Sequence, residues 1–184
     1  MAQIKKTDNS NFDIKKRLRN DFLPNKKNIC VLDCFYGNGF LWKEIIKINK
    51  NKNINVIGID KKDNKHAKII GDNIKYLLGM ENLNIFDIID LDSYGIPFKQ
   101  CEILYNKKYT GIVFFTAIRS LYGALPKNML NKIGFSNEMI NECPTLFYNN
   151  DRFFQYLSLT QVKKIKYYQP EQKKIYGTFR FCFK

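Results

Sequence analysis

The chain has 184 residues, 45% of them hydrophobic, and a formal charge of +14 from 31 Lys plus Arg against 17 Asp plus Glu. That length holds a full α/β core in one domain, and the charge favours a polyanionic partner, nucleic acid first. Five scattered cysteines and a single histidine, His66, draw no zinc site and no disulfide framework. Part of the charge reflects a bias toward Lys, Asn and Ile. Only five residues are arginine, and base-reading surfaces lean on the planar Arg fork. The first 24 residues are charged and lack an apolar core, so they predict neither a signal peptide nor a membrane span. The composition reads as that of a cytoplasmic, reduced protein.

In chain order, Asn11 to Phe22 predicts a leading helix. Ile14, Leu18 and Phe22 recur every four residues, with Lys15, Lys16, Arg17 and Arg19 around them, and Pro24 closes the run. The basic residues are expected on a solvated face; with the Lys61 to Lys68 run they are candidates for phosphate contacts. Ile29 to Leu32 is a short β-branched run, the pattern of a strand buried on both faces. It ends at Asp33, turns through Gly37-Asn38-Gly39, and resumes at helical spacing with Leu41, Ile45 and Ile48.

A strand, a glycine turn and a helix place a ligand at the carboxyl end of a parallel sheet, facing the free N–H groups of the helix. A dinucleotide fingerprint needs a small residue three places after Gly39, where this chain has Trp42. No Gly-Lys-Ser/Thr follows either. Together these disfavour a pyrophosphate and a nicotinamide oxidoreductase, and favour a nucleoside ligand without one.

The second strand is predicted over Asn55 to Ile59, ending at Asp60, and a short third over Lys68 to Ile70, ending at Gly71-Asp72. A brief helix follows through Ile74, Leu77 and Leu78. The fourth strand is expected over Asn84 to Ile89, running into the loop Asp90-Leu-Asp-Ser-Tyr-Gly95. The fifth is expected over Thr110 to Phe115. Arg119 to Thr160 reads as short helices broken by Gly123, Pro126, Gly134 and Pro144. Lys163 to Tyr168 and Ile175 to Phe183 then predict two strands joined as an antiparallel hairpin.

This order resembles the class I S-adenosylmethionine-dependent methyltransferases. Val31-Leu-Asp-Cys-Phe-Tyr-Gly-Asn-Gly39 is similar to their first motif in the form frequent among nucleic-acid methyltransferases. The resemblance implies a mostly parallel, seven-stranded, Rossmann-like α/β sheet with helices on both faces and a C-terminal antiparallel hairpin. It implies one domain over residues 1–184, with residues 1–24 as a leading helix and 119–160 as a substrate-side insert. It also implies S-adenosylmethionine as cofactor, held by Asp33, Phe35, Gly37, Gly39, Asp60, Asp72 and Asp90. Of these, Asp60 would take the ribose hydroxyls and Asp72 the adenine amine.

Phe86 to Gly95 resembles the Asp-Leu-Asp-Pro-Phe/Tyr-Gly signature of tRNA guanine-N2 dimethyltransferases and, more loosely, the Asp/Asn-Pro-Pro-Tyr motif of enzymes that methylate exocyclic amines. An exocyclic amine is a poor nucleophile because its lone pair is delocalised into the ring. A carboxylate accepting its N–H bonds can hold that lone pair toward a methyl donor, so catalysis is largely orientation. Asp92 and Tyr94 are therefore the implied catalytic pair, Asp92 binding the amine and Tyr94 stacking on the base. Ser93 stands where the family has proline, which is expected to loosen the turn.

The resemblance implies a role in tRNA processing, with RNA favoured over DNA as partner, and no metal. The alternatives are a methyltransferase for a small molecule or protein, or a non-catalytic S-adenosylmethionine-binding subunit that needs a partner subunit.

Overall fold

The computed structural model describes residues 11–61, 66–118, 125–143, 151–171 and 173–183. Its elements run α1 (Phe12–Asp21), β1 (Asn28–Asp33), α2 (Phe40–Ile48), β2 (Asn53–Asp60), β3 (Ile69–Ile70), α3 (Asn73–Gly79), β4 (Ile88–Asp92), α4 (Phe98–Asn106), β5 (Ile112–Ile118), α5 (Lys127–Lys132), α6 (Asn137–Glu142), α7 (Asp151–Leu159), β6 (Val162–Glu171) and β7 (Lys174–Phe181). Seven strands form one sheet in the order β3-β2-β1-β4-β5-β7-β6. The first five are parallel; β7 is antiparallel to both β5 and β6.

Strand alternation divides the core in two. On one face Ile29, Val31, Ile54, Ile88, Ile112, Phe114 and Tyr176 pack with Leu18 of α1 and Trp42 and Ile45 of α2. On the other, Leu32, Ile59, Ile89, Leu91, Val113 and Phe115 meet Leu77 of α3, Leu104 of α4 and the short helices α5 to α7. Helices cover both faces, as expected for a parallel sheet.

The strand order reverses between β1 and β4, and this opens a crevice at their carboxyl ends. In that crevice the Cys34 N–H donates to the Asp90 carbonyl (2.9 Å) and the Tyr36 N–H to the Ile59 carbonyl (3.1 Å), which fixes where the glycine turn leaves the sheet. The Tyr36 ring fills the space against Gly39 and Gly58, where an added Cβ would lie 2.3 Å and 2.2 Å from ring atoms.

Two expected boundaries differ. Asn84 and Ile85 lie in a 3-10 turn (Leu83–Ile85), and the strand starts at Ile88. The Asn82 side chain accepts from the Asn84 N–H, and the Asn84 side chain accepts from both the N–H and the hydroxyl of Thr110. Asn84 is thereby committed to a capped turn. At the other end β4 continues through Asp90, Leu91 and Asp92, so both acids are strand residues rather than loop residues. The leading basic helix also departs from expectation. Arg17 is exposed, but Lys15 and Arg19 are buried against the sheet.

Parts of three expected features lie outside the described residues: 62–65 of the Lys61 to Lys68 run, 119–124 and 144–150 of the 119–160 segment, and 1–10 of the leading segment. No described helix is long and apolar enough to cross a membrane.

Candidate functional site

Asp90 and Asp92 project from β4 to the face covered by α1, two residues apart and therefore on one side of the strand. Arg19 reaches Asp90 from α1 as a two-pronged fork, Nε to Oδ2 and Nη2 to Oδ1, both at 2.6 Å, and both side chains are fully buried. The Trp42 indole N–H donates to the same carboxylate at 2.9 Å. This explains why α2 carries a large residue where a dinucleotide fold would want a small one: Trp42 ties α2 to the middle strand. One turn before Arg19, Lys15 Nζ lies 2.9 Å from the Asp92 carboxylate and 5.4 Å from the centre of the Tyr176 ring. The Thr116 hydroxyl donates to the other side of Asp92.

Asp33 closes β1 on the same face. It is buried, and its Oδ1 accepts the Phe35 N–H at 3.0 Å. Burial pushes its carboxyl well above the ordinary carboxylate range. Asp90 and Asp92 push the same way, while the Phe35 N–H and Arg19 oppose them. Burial also raises Asp90, against the pull of Arg19 and the Trp42 N–H. At Asp92 burial acts upward too, but Arg19, Lys15 and the Thr116 hydroxyl outweigh it and hold the carboxyl below its usual value. Burial works against the Arg19 charge, yet the surrounding carboxylates hold its pKa above the ordinary guanidinium value. Two buried carboxylates, Asp33 and Asp90, and the half-buried Asp92 thus face two cations.

Asp60, at the end of β2, accepts the Gly37 N–H at 2.8 Å. Gly37 and Gly39 both have left-handed φ, +55° and +67°, and space is open beside Gly37. Asp72 caps α3, accepting the Ile74 N–H at 2.8 Å. The fold therefore gathers Asp33, Phe35, Gly37, Gly39, Asp60, Asp90 and Asp92 around the β1–β4 crevice, with Asp72 following β3. Asp90 sits beneath α1 with its carboxylate engaged by Arg19 and Trp42. Tyr94 lies just past β4 and is 72% exposed.

Ser93 is buried. Its N–H donates to the Leu91 carbonyl at 2.8 Å, and its hydroxyl reaches the carbonyls of Thr116 (2.9 Å) and Gly95 (3.1 Å). The turn expected to be loosened by the absence of proline is tied to β5 by this side chain.

A cationic nucleoside suits these groups. Asp92 offers an acceptor at the end of β4, Asp60 provides a carboxylate at the rim, and the glycine turn lets a ligand approach the backbone. Among the described residues no group of side chains could hold a metal ion. The groove lined by Lys26, Asn28, Asn53 and Asp87 lies at the opposite, amino-terminal end of the strands.

Sequence reasoning missed Lys15, Arg19, Trp42 and Thr116 as partners of these acids. One signal was present. Ionised acids alternating with Ile and Leu in a buried strand need counter-charges, and Lys15 and Arg19 share a helix face with Leu18 and Phe22 at i, i+3 and i+4 spacing.

No protein-family model matches the chain, and no curated protein sequence matches it. Solved structures do. The yhhF protein of Escherichia coli, a candidate methyltransferase, superposes with a TM-score of 0.56 at 12% identity, over 97% of this chain and 90% of that one. A candidate class I S-adenosylmethionine-dependent methyltransferase from Listeria monocytogenes gives 0.54 at 14% identity, over 94% of this chain and 59% of that one. A protein from Bordetella parapertussis, described as a possible exported protein, gives 0.56 at 8% identity, over 92% and 66%. The chain thus spans about two thirds or less of two of these three proteins. What is shared at such identities is architecture: the chain has the seven-stranded fold found in class I S-adenosylmethionine-dependent methyltransferases.

Proposed function

We propose that the protein is an S-adenosylmethionine-dependent methyltransferase acting on an exocyclic amine of a base in nucleic acid, RNA ahead of DNA. The observation that carries the reading is Asp92 at the carboxyl end of β4, beside the topological switch point and two residues before the exposed ring of Tyr94. Asp33, Phe35, Gly37, Gly39, Asp60 and Asp72 are the residues that would hold the cofactor, with Asp90 supporting them from beneath through Arg19 and Trp42. When bound, S-adenosylmethionine supplies an electrophilic methyl group on a sulfonium.

The chain's own contribution is orientation. Asp92 accepts an N–H of the amine and keeps the nitrogen lone pair turned toward the methyl group, while Tyr94 stacks on the base. Lys15 and Thr116 hold the Asp92 carboxylate in place and ionised until the amine arrives. Residues 119–160, described over 125–143 and 151–160, are proposed as the segment that chooses the substrate.

One observation favours a second reading. Lys15 and Thr116 already bond Asp92, as they would in a non-catalytic cofactor-binding subunit that acts through a partner. Incubation with methyl-labelled S-adenosylmethionine and separate pools of total tRNA, rRNA and DNA, followed by nucleoside analysis, decides between them. We expect label in an N-methylated base, lost in Asp92→Ala while cofactor-induced thermal stabilisation persists. Thermal stabilisation without label in any pool would refute the nucleic-acid reading. Stabilisation by NAD and not by S-adenosylmethionine would refute both.

A further inference from the structure

The strand β6 forms one edge of the sheet, and most of it is exposed: Lys163, Lys164, Lys166, Tyr167 and Tyr168 all lie open to solvent. Register assigns these residues to faces. Lys163 pairs with Arg180, Lys166 with Thr178 and Tyr168 with Tyr176. Paired residues project to the same side of a sheet, and Tyr176 belongs to the face covered by α1. Lys163, exposed Arg180, Lys166 and Tyr168 therefore climb one face of the sheet edge, from the amino-terminal end of β6 toward the end that carries the candidate site.

The top rung lies in the same row of the sheet as that site, with buried Tyr176 and Thr116 between them. Tyr168 pairs with Tyr176, Tyr176 with Thr116, and Thr116 with Asp92, one row across four strands. Three inter-strand steps place Tyr168 about 14 Å from Asp92. Among the described residues no carboxylate pairs with Lys163, Lys164 or Lys166. The nearest acid along the strand, Glu171, accepts from Asn11 and lies 3.6 Å from Lys174.

Lysines on an edge strand also discourage edge-to-edge pairing of sheets. That purpose needs charge anywhere along the edge. It does not require cations aligned on one face, nor a tyrosine where they reach the site. Cations spaced along a strand with an aromatic ring at one end suit a single-stranded polyanion whose bases are free to stack. We infer that the β6 edge, through Lys163, Lys166, Arg180 and Tyr168, binds a single-stranded segment of nucleic acid and leads it to the row that ends at Asp92. The inference deepens the nucleic-acid reading above and rests on it for the role of Asp92; binding at the edge is testable without methyl transfer.

The test is fluorescence anisotropy of a labelled single-stranded 12-nucleotide RNA, titrated with the full chain over a range of salt. Lys163→Glu/Lys166→Glu should weaken binding about tenfold or more and flatten the plot of log affinity against log salt by about 1.4, the value for two lost single-strand phosphate contacts. Tyr168→Ala should weaken it between about fivefold and about 150-fold, the range for one stacked base. Lys75→Glu/Lys99→Glu, on helices packed against the other face, should leave binding within about twofold. Melting curves check that each variant folds.

Equal losses from both pairs of reversals would overturn the inference, reducing the effect to net charge. So would binding of a polyglutamate peptide as tightly as RNA, or of a neutral β-strand peptide at the edge. If the edge variants lose RNA binding but wild type transfers no methyl group to nucleic acid, the inference stands and the proposed reaction falls. If wild type methylates RNA and the edge variants do so unchanged, the reverse holds.

Discussion

Removing Arg19 should cost more stability than any other single charge deletion on α1. The guanidinium is fully buried, donates twice to Asp90 at 2.6 Å and once to the Lys15 carbonyl at 3.2 Å, and lies 5.4 Å from the centre of the Phe114 ring. Arg19→Met keeps much of the stem and leaves Asp90 buried without its counter-charge and bonded by Trp42, with Asp33 and Asp92 nearby. Breaking a buried pair from one side costs about 3–5 kcal/mol. For a chain of this length each kcal/mol is worth about 2–4 °C, so the melting temperature should fall by roughly 6–20 °C. Arg19→Met/Asp90→Leu removes both charges and should recover most of that loss, because no unpaired ion remains. Urea unfolding of wild type, both single variants and the double, followed by far-UV circular dichroism at neutral pH, gives the coupling energy. A loss below about 1 kcal/mol in Arg19→Met, or a double variant no more stable than the singles, would refute the buried pairing of α1 with β4.

Asp33→Asn should stabilise the ligand-free protein at neutral pH while reducing its stabilisation by S-adenosylmethionine. The folded carboxyl titrates above its unfolded value, so the native state holds more protons. Stability from this group is therefore present below the unfolded pKa of about 4 and is lost as pH rises toward the folded value. The advantage of the Asn variant should shrink on acidification, as melting curves from pH 4 to 8 would reveal; an advantage that grows toward acid would contradict the assignment. Ser93→Pro should destabilise by about 1–3 kcal/mol because it removes the N–H bond to Leu91 and the hydroxyl bonds to Thr116 and Gly95. Ser93→Ala should lose less, since it keeps the N–H, and a Pro variant as stable as wild type would show that those bonds do not hold the turn.

The strand–glycine–helix unit was legible because each of its signals is local. A β-branched run makes a buried strand wherever it lies, and Gly37 and Gly39 adopt left-handed φ that other residues resist. The terminal hairpin was legible for the same reason. Two aromatic-rich runs with a short connector have only antiparallel pairing open to them, and β6 and β7 pair that way. The start of the fourth strand was misplaced because Asn84 has a partner, Thr110, that is distant in sequence.

The chain order of its acids, its glycine turn and its alternating apolar runs were enough to specify a parallel α/β sheet with a hairpin at its end. Those features depend on near neighbours and on the period of two that separates the faces of a strand. Only the tertiary structure decided that Lys15 and Arg19 face inward, that Trp42 bonds Asp90, that Ser93 anchors its turn to β5, and that the lysines of β6 share a face with Tyr168. Each of these depends on which charges meet across the fold. A buried carboxylate draws its partner from whichever element packs over it, and the spacing of residues along the chain does not encode that choice.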